Sequence, residues 1–353
     1  MQEPPVGPRP AGVPAWLRGP LPLLLALPVL AVAELLALEA PFFVYIASLV
    51  GVNVILAVSL NVVNGMTGQF SIGHAGFMAV GAYAGGKFSL ETKELYLSAL
   101  PIAVSDQLFF VAALLIGGIA AAAFGFIVGL PSLRLKGDYL AIVTLGFGEI
   151  IRVAVQNTEA LGRALGLSGI PQRSSLFMVL FWVFLTIVVA RRISASSHGR
   201  SLLAIREDEV AAEAMGVDTT AYKVRAFVIS AFLAGVAGGL FAHFVPIINP
   251  GSFTFVKSFE IVVMIVAGGL GSITGSILSA IVLTLLPEGM RSLFIQLGGG
   301  DQSLAQTVDQ IRMPIYGLLL VALMLARPQG MFGSKELWTV APRWFPRRLR
   351  GIR

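Results

Sequence analysis

The stretch LFFVAALLIGGIAAAAFGFIVGL, residues 108–130, contains no charged side chain. A helix needs about 20 mostly apolar residues to cross the roughly 30 Å hydrocarbon core of a bilayer, and this stretch supplies that length. Of the 353 residues in the chain, 56% are hydrophobic and 12% are charged. Soluble domains carry about 25% charged residues, so the sequence predicts an integral membrane protein.

Further apolar runs lie along the chain, separated by short polar joints. Lipid cannot satisfy free backbone polar groups, so each run has to close its own hydrogen bonds as a helix. The runs are also too long and too uniformly apolar for the strands of a barrel. We therefore predict an all-α, polytopic helical bundle whose further crossings lie at residues 21–38, 42–63, 70–90, 139–155, 176–190, 225–245 and 313–326.

The first of these runs has two interpretations. Arg9 and Arg18 precede it, as basic residues precede the apolar core of a signal peptide. The run continues past Glu34, however, and a second span follows it at once. This continuity favours an uncleaved first crossing.

One apolar region, FEIVVMIVAGGLGSITGSILSAIVLTLL at residues 259–286, is too long for one straight crossing and is interrupted by GGLGSITGS. Basic residues are frequent in the loop 191–224 and in the tail, and such residues favour the cytoplasmic side. If both segments are cytoplasmic, residues 259–286 have to enter and return as two short or half-membrane helices. We predict about ten crossings with both termini inside: a cytoplasmic segment 1–19, a transmembrane domain 20–326 and a basic cytoplasmic tail 327–353.

Several classes of function fit the sequence poorly. The chain has no cysteine, which excludes thiolate chemistry, and His74, His198 and His243 lie in separate segments without metal-ligand spacing. GAYAGGKF resembles a phosphate-binding loop, but Phe88 stands where a Ser or Thr must hold magnesium. The sequence shows no cluster of a nucleophile with a base, which an enzyme site would need. Its basic residues flank apolar segments and do not form the stripe with interleaved aromatic residues that is typical of nucleic-acid binding. We expect no enzyme activity, bound cofactor, metal or nucleic-acid partner.

Polar side chains are concentrated near the start of the run at residues 70–90. Intramembrane polar groups are costly, so they usually face a bundle interior, a partner helix or a water-filled path. The sequence leaves open whether these groups bond neighbouring helices or line a solute path. For a solute path, the candidate residues are Asn64, Gln69, Ser71, His74, Tyr83, Thr144, Gly271 and Gly275.

Two charged residues of the span 139–155, Glu149 and Arg152, are spaced so that they meet on one helix face. Each charge alone would cost about 2.5–3.5 kcal/mol at a helix centre, which favours mutual pairing. We predict an intramembrane ion pair with a structural role, in preference to contact with solute. Glu260, at the start of the broken region, is expected to lie at the interface.

The loop at residues 191–224 has a mixed charge pattern. Within it, LLAIREDEVAAEAMG predicts one amphipathic helix at residues 202–215 with Leu202, Ile205, Val210 and Ala214 on its apolar face, ending near Gly216. A solvated loop is the alternative. A membrane protein without an ATP-hydrolysing domain of its own would need such a surface to engage one.

Five blocks together resemble a known family: GQFSIGHAGFMAVGAYAGG, LPSLRLKGDYLAIVTLGFGEIIR, HGRSLLAIREDEVAAEAMGVDTTAYKVRAFVISAFLAGVAGGLFA, FEIVVMIVAGGLGSITGSILSA and YGLLLVALMLARPQG. In this order, from about residue 61 to 330, they are similar to the LivM-type permease of branched-chain amino acid ABC importers. The resemblance implies a multi-pass protein of the bacterial cytoplasmic (inner) membrane that carries leucine, isoleucine or valine. It also implies a second homologous permease, two ATPase subunits that use the ATP, and an extracytoplasmic substrate-binding protein.

Importer permeases of this kind carry a coupling motif, E-A-A-x-x-x-G, in a cytoplasmic loop. Here the aligned residues are 210–216, with Val210 in place of the leading glutamate and Glu209 one position earlier. We therefore name residues 191–224 the coupling loop. The resemblance implies contact with the ATPases through Arg206, Glu209, Ala212, Glu213 and Gly216.

Two other functions fit the same sequence. Related permeases share these blocks, so urea or short amides could be the solute. A self-sufficient secondary carrier or channel would use Glu149, Arg152 and His74 for ion coupling, and would not depend on the charges of the coupling loop.

Overall fold

The computed structural model describes residues 41–92, 102–133, 135 and 137–297, together with the single positions 314, 317, 318 and 331. Within these residues the chain folds into ten α-helices. The helices are α1 Pro41–Asn64, α2 His74–Glu91, α3 Ile102–Ser132, α4 Asp138–Asn157, α5 Leu176–Ala195, α6 Ser197–Glu207, α7 Glu209–Ala214, α8 Thr219–Ala242, α9 Phe255–Gly268 and α10 Ile273–Leu297.

The connections α4–α5 and α8–α9 form a small cap. They contain 3₁₀ turns at Glu159–Leu161, Arg163–Leu165 and Pro250–Phe253. Two short strands, β1 (Leu167–Ser168) and β2 (Ile247–Ile248), pair antiparallel between the connections. The pairing links the two connections at the same end of the bundle.

Seven helices in the described part of the chain are long and apolar enough to cross a membrane. They are α1, α3, α4, α5, α8, α10, and α9 taken with the 3₁₀ turn before it. The predicted all-α membrane fold is therefore confirmed. The crossings predicted at residues 21–38 and 313–326, the segment 1–19 and the basic tail 327–353 lie essentially outside the described residues, so about ten crossings stays a prediction.

Helix α8 lies at the centre of the bundle and packs against α1, α2 and α3. Glycines bring these backbones together: a Cβ on Gly81 of α2 would overlap the backbone of Gly235 on α8. On α3, a Cβ on Gly117 would lie 2.6 Å from the carbonyl oxygen of Gly81. In lipid, such close approach replaces the hydrophobic drive that packs helices in water.

The helices are interrupted at two places. The first break, residues 65–73, separates α1 from α2, whereas the sequence predicted that the third crossing begins at residue 70. The second break, residues 269–272, separates α9 from α10, as the glycine-rich interruption predicted. Gly269 and Gly271 have φ of 108° and 90°, values that glycine adopts without steric cost.

The coupling loop contains two helices, and the prediction of a single helix at residues 202–215 is wrong. The backbone leaves the helix at Asp208, whose carboxylate accepts hydrogen bonds from the first N–H groups of α7. Aspartate at such a position begins a new helix because it satisfies donors that have no intrahelical partner. Leu202 and Ile205 are buried as predicted, but Val210 and Ala214 are exposed.

Candidate functional site

The two helix breaks contact each other. The side-chain oxygen of Asn61 on α1 accepts a hydrogen bond from the backbone N–H of Gly271 at 2.9 Å. A Cβ on Gly65 would overlap that same amide nitrogen, so only glycine at this position allows the contact. The C-terminal end of α1 therefore lies directly against the second break.

Arg206 of α6 reaches this junction. Its Nη1 donates a hydrogen bond of 2.8 Å to the carbonyl oxygen of Gly65. Its side chain also lies beside Gly68, which has a φ of 72°, and beside Gly271. One side chain of the coupling loop thus contacts both breaks.

The first break is held in place by hydrogen bonds to its backbone. The Asn64 amide donates to the carbonyl of Ser71 at 3.1 Å and accepts from the N–H of Ser71 at 3.2 Å. Thr144 Oγ1 accepts from the N–H of Ile72 at 3.1 Å. Ser258 Oγ of α9 accepts from the N–H of Ala75 at 3.0 Å and so satisfies a donor at the start of α2.

Helix α2 begins about halfway along the central helix. The Nε2 atom of His74 lies 2.8 Å from the hydroxyl of Ser59 on α1. The carbonyl of Ser59 accepts a hydrogen bond of 2.6 Å from Ser230, near the middle of α8. Tyr83 lies further along α2, where its hydroxyl donates to the carbonyl of Ile248 at 3.3 Å.

Most predicted solute-path residues are thus buried and bonded within the chain. This holds for Asn64, Ser71, His74, Tyr83 and Thr144. Of the remaining three, Gln69 is partly exposed in the first break and Gly271 lies in the second break. Gly275 packs so closely against Gly268 that a Cβ on Gly275 would overlap the backbone of Gly268. Their assignment to the solute path stays a prediction.

Two of the predicted coupling residues bond to the central helix. Glu209 forms an ion pair of 2.6 Å with Lys223 of α8, whose side chain is only 4% exposed. Glu213 accepts a hydrogen bond of 2.7 Å from Thr219, the first residue of α8. Together these contacts fix α7 to the central helix.

The remaining residues of the coupling motif shape α7. Ala212 is buried, and Gly216 ends the helix with a φ of 84°. Val210 and Met215, exposed by 67% and 84%, form the outer surface of the loop. The sequence did not identify these two apolar residues as the outward-facing ones.

Glu149 and Arg152 form an ion pair on α4, with Oε2 and Nε 2.7 Å apart. The other carboxylate oxygen of Glu149 accepts a hydrogen bond of 3.0 Å from the N–H of Phe255, the first residue of α9. Arg152 Nη1 also donates to Gln156 at 3.3 Å. The pair therefore links α4 to the beginning of a second interrupted helix.

A second pair of charges was not predicted. Lys257 lies 3.4 Å from Glu260 and donates to Asn53 of α1 at 3.0 Å, and Asn53 donates to Thr284 of α10 at 2.9 Å. The side chain of Glu260 is 4% exposed, so it is buried among α1, α9 and α10 and not interfacial as expected. The spacing of Lys257 and Glu260, three residues apart on one helix, is the signal that sequence reasoning missed.

Comparison with known proteins supplies the decisive observation. The family described as "Branched-chain amino acid transport system / permease component" matches residues 42–326. The chain belongs to this family. The match covers all ten helices described above, so the resemblance to LivM-type permeases is confirmed.

Curated relatives of this permease agree. The chain is 36% identical over 336 residues to the high-affinity branched-chain amino acid transport system permease protein LivM of Escherichia coli, covering 84% of this chain and 72% of that protein. It is 26% identical to a probable LivM of Methanocaldococcus jannaschii, covering 82% of this chain and 92% of that one. It is 28% identical to E. coli LivH over 46% of this chain and 47% of LivH. No solved structure matches.

Membership in this family fixes the general class. The chain is a multi-pass membrane protein and a transport permease, not an enzyme. The breaks, the ion pairs and the coupling loop are therefore features of a transport permease.

Proposed function

We propose that this chain is the permease subunit of an ATP-driven importer and forms part of the path for leucine, isoleucine and valine. It pairs with a second homologous permease, and two ATPase subunits bind and hydrolyse the ATP. An extracytoplasmic binding protein delivers the amino acid. The assembly lies in a bacterial cytoplasmic membrane with both termini of this chain inside, and this chain holds no cofactor.

The observation that carries this proposal is the contact of Arg206 with the carbonyl of Gly65 at the first break. A self-sufficient carrier has no need to connect a cytoplasmic loop to its helix breaks. An ATP-driven permease does need this connection, because movement has to pass from the ATPases to the solute path. The curated relatives named as branched-chain amino acid permeases support the choice of solute.

Transmission has a second route through the central helix. A force on α7 reaches α8 through the pair Glu209–Lys223 and through the hydrogen bond between Glu213 and Thr219. Since α8 packs against α1, α2 and α3, a displacement of its end moves the elements that flank the first break. The predicted path residues Asn64, Gln69, Ser71, His74, Tyr83, Thr144, Gly271 and Gly275 lie on or beside the elements that would move.

The test is purification of the complex from its native membrane, followed by reconstitution in vesicles. We expect a second permease and two nucleotide-hydrolysing subunits to co-purify, and leucine uptake to require both ATP and the binding protein. Uptake by this chain alone along an ion gradient would establish the secondary-carrier function instead. ATP-driven uptake of urea without uptake of leucine would show that the proposed solute is wrong and that the proposed ATP-driven mechanism is right.

A further inference from the structure

The pair Glu149–Arg152 lies within α4 and not at either of its ends. With a rise of about 1.5 Å per residue, Glu149 is about 16 Å from Asp138 at one end, and Arg152 is about 8 Å from Asn157 at the other. Helix α4 is one of the candidate membrane spans. Since the hydrocarbon core is about 30 Å thick and α4 is about as long, we place the pair inside the hydrocarbon core, in the half nearer the C-terminal end of α4.

The packing around α4 shows which elements lie beside the pair. Gly73, just before α2, packs on the backbone of Thr144, and Gly76 packs on Gly148. Helix α9 begins at Phe255, whose N–H bonds to Glu149. Both interrupted helices thus begin beside the middle of α4, so the ion pair lies where α2 and α9 start.

The pair is not buried in the bundle. The side chains of Arg152 and Glu149 are 25% and 32% exposed, and they share a side of α4 with Gly146, Ile150 and Val153. Ile150 is 61% and Val153 is 44% exposed, while a Cβ on Gly146 would meet nothing within 4 Å. Among the described residues, therefore, this side of α4 is only partly covered.

Lipid is a poor neighbour for this surface. A charge at the centre of a membrane helix costs about 2.5–3.5 kcal/mol, so charged side chains at this depth almost always face other protein or water. The exposed surface of α3, by contrast with that of α4, is suited to lipid. Ile119 and Ile127 are 61% and 62% exposed, and no charged residue lies between them in the sequence. The exposed parts of Glu149 and Arg152 therefore require polar surroundings.

We propose that this side of α4 lines the solute path, and that Glu149 and Arg152 bind the zwitterionic head group of the amino acid as it passes. The carboxylate faces the solute's ammonium group, and the guanidinium faces its carboxylate. In the described structure Arg152 uses Nε and Nη1 and retains further N–H groups on Nη2. The start of α9, with its positive dipole end, lies beside the same carboxylate.

This proposal rests on the proposed function and makes it more specific. It gives Glu149 and Arg152 a role in contact with solute, in contrast to the structural role predicted from their spacing. It also assigns recognition inside the membrane to the head group that all amino acids share. Discrimination among side chains is left to the binding protein.

The first test uses accessibility to a water-soluble thiol reagent, which is direct because the natural chain has no cysteine. Gly146→Cys and Val153→Cys lie about one helical turn on either side of Glu149, and Ile119→Cys and Ile127→Cys serve as lipid-facing controls. In reconstituted complexes during turnover, we expect the cysteines at both α4 positions to react with the reagent and leucine to slow that reaction. The cysteines at the α3 positions should stay unreactive. If the cysteines at all four positions are equally unreactive toward the reagent, the proposal is overturned.

The second test separates solute binding from assembly. Glu149→Gln is compared with Glu159→Gln, because Glu159 also pairs with an arginine, Arg163 at 2.8 Å, but in an exposed turn. We expect Glu149→Gln to raise the KM for leucine about tenfold or more, as loss of a charged hydrogen-bond partner does, with the second permease still co-purifying. Glu159→Gln leaves the KM unchanged.

Two results would contradict the proposal here. An unchanged KM for leucine in the Glu149→Gln variant would show that Glu149 does not bind the solute. Loss of the second permease from the purified Glu149→Gln complex makes the pair part of a subunit interface. ATP-driven leucine uptake by the unsubstituted complex is measured alongside, so a failure of the proposed function is distinguished from a failure of this site.

Discussion

Arg206 and Gly65, which are 141 positions apart in the chain, are joined by a hydrogen bond of 2.8 Å from the guanidinium Nη1 to the backbone carbonyl oxygen. Gly65 directly follows the last residue of α1, where helix carbonyls have no intrahelical donor. Arg206 supplies that donor from the last turn of α6. Its position ties the orientation of the coupling loop to the geometry of the first break.

Arg206→Ala is expected to uncouple ATP hydrolysis from transport. A hydrogen bond from a charged donor contributes about 1.5–3 kcal/mol, so its loss should lower leucine uptake about tenfold or more while ATP hydrolysis continues. The measurement is the ratio of leucine imported to ATP hydrolysed in reconstituted vesicles. Arg200→Ala is the matched control, since Arg200 is an exposed arginine of the same helix. Equal ratios in the two variants would show that the contact does not transmit movement.

Glu209→Gln is expected to lower the stability of the permease. Lys223 is 4% exposed, and without Glu209 its charge stays buried without its ion-pair partner. Breaking a fully buried pair costs about 3–5 kcal/mol, and because Glu209 is 28% exposed we expect about 2 kcal/mol.

The measurement for this pair is the melting temperature of the detergent-purified complex. Glu207→Gln is the control, because Glu207 is an exposed glutamate on the neighbouring helix. The double variant Glu209→Gln, Lys223→Met should regain part of the lost stability, since it removes both charges. A double variant that melts below Glu209→Gln would argue against the ion pair as the cause.

The coupling loop shows the limit of what its sequence reveals. The charge pattern correctly indicated helical structure and buried Leu202 and Ile205, because these follow from local periodicity. It did not indicate that Glu209 pairs with Lys223, because that contact depends on how α7 folds back against α8. Glu209 and Glu213, which the sequence offered to a partner, thus bond within the chain, and the exposed large apolar residues of α7 and its end are Val210 and Met215.

The two breaks differ in the same way. The second break was predictable, because consecutive glycines permit the positive φ values found at Gly269 and Gly271. The first break was predicted too short, because the next crossing was taken to begin at residue 70, whereas α2 begins at His74. The deciding hydrogen bonds come from Asn64 and Thr144, and the latter is contributed by a separate helix. The exposure of Glu149 and Arg152 was equally invisible before the packing of α4 was known.

Gly81→Ala tests the close packing of the central helices. The added methyl group would overlap the backbone of Gly235, and a backbone cannot rotate away as a side chain can. Overpacking of this kind costs about 1–3 kcal/mol, so we expect a lower melting temperature. Gly146→Ala is the control for stability, because its methyl group meets nothing within 4 Å. If the two variants melt alike, α2 and α8 are not in the close contact described.

Asn64→Asp is expected to release the first break without unfolding the bundle. The amide of Asn64 donates to the Ser71 carbonyl and accepts from the Ser71 N–H. An ionised aspartate keeps the acceptor, loses the donor and places an oxygen against the buried carbonyl, which is left unsatisfied at a cost of about 1–3 kcal/mol. Hydrogen exchange followed by mass spectrometry should show faster exchange in residues 65–75 and unchanged exchange in α8. Asn157→Asp, at an exposed end of α4, should leave both segments unchanged. Faster exchange throughout α8 as well would mean that Asn64 stabilises the whole bundle instead of holding one segment against α4. The first break could not then move independently of the helices around it.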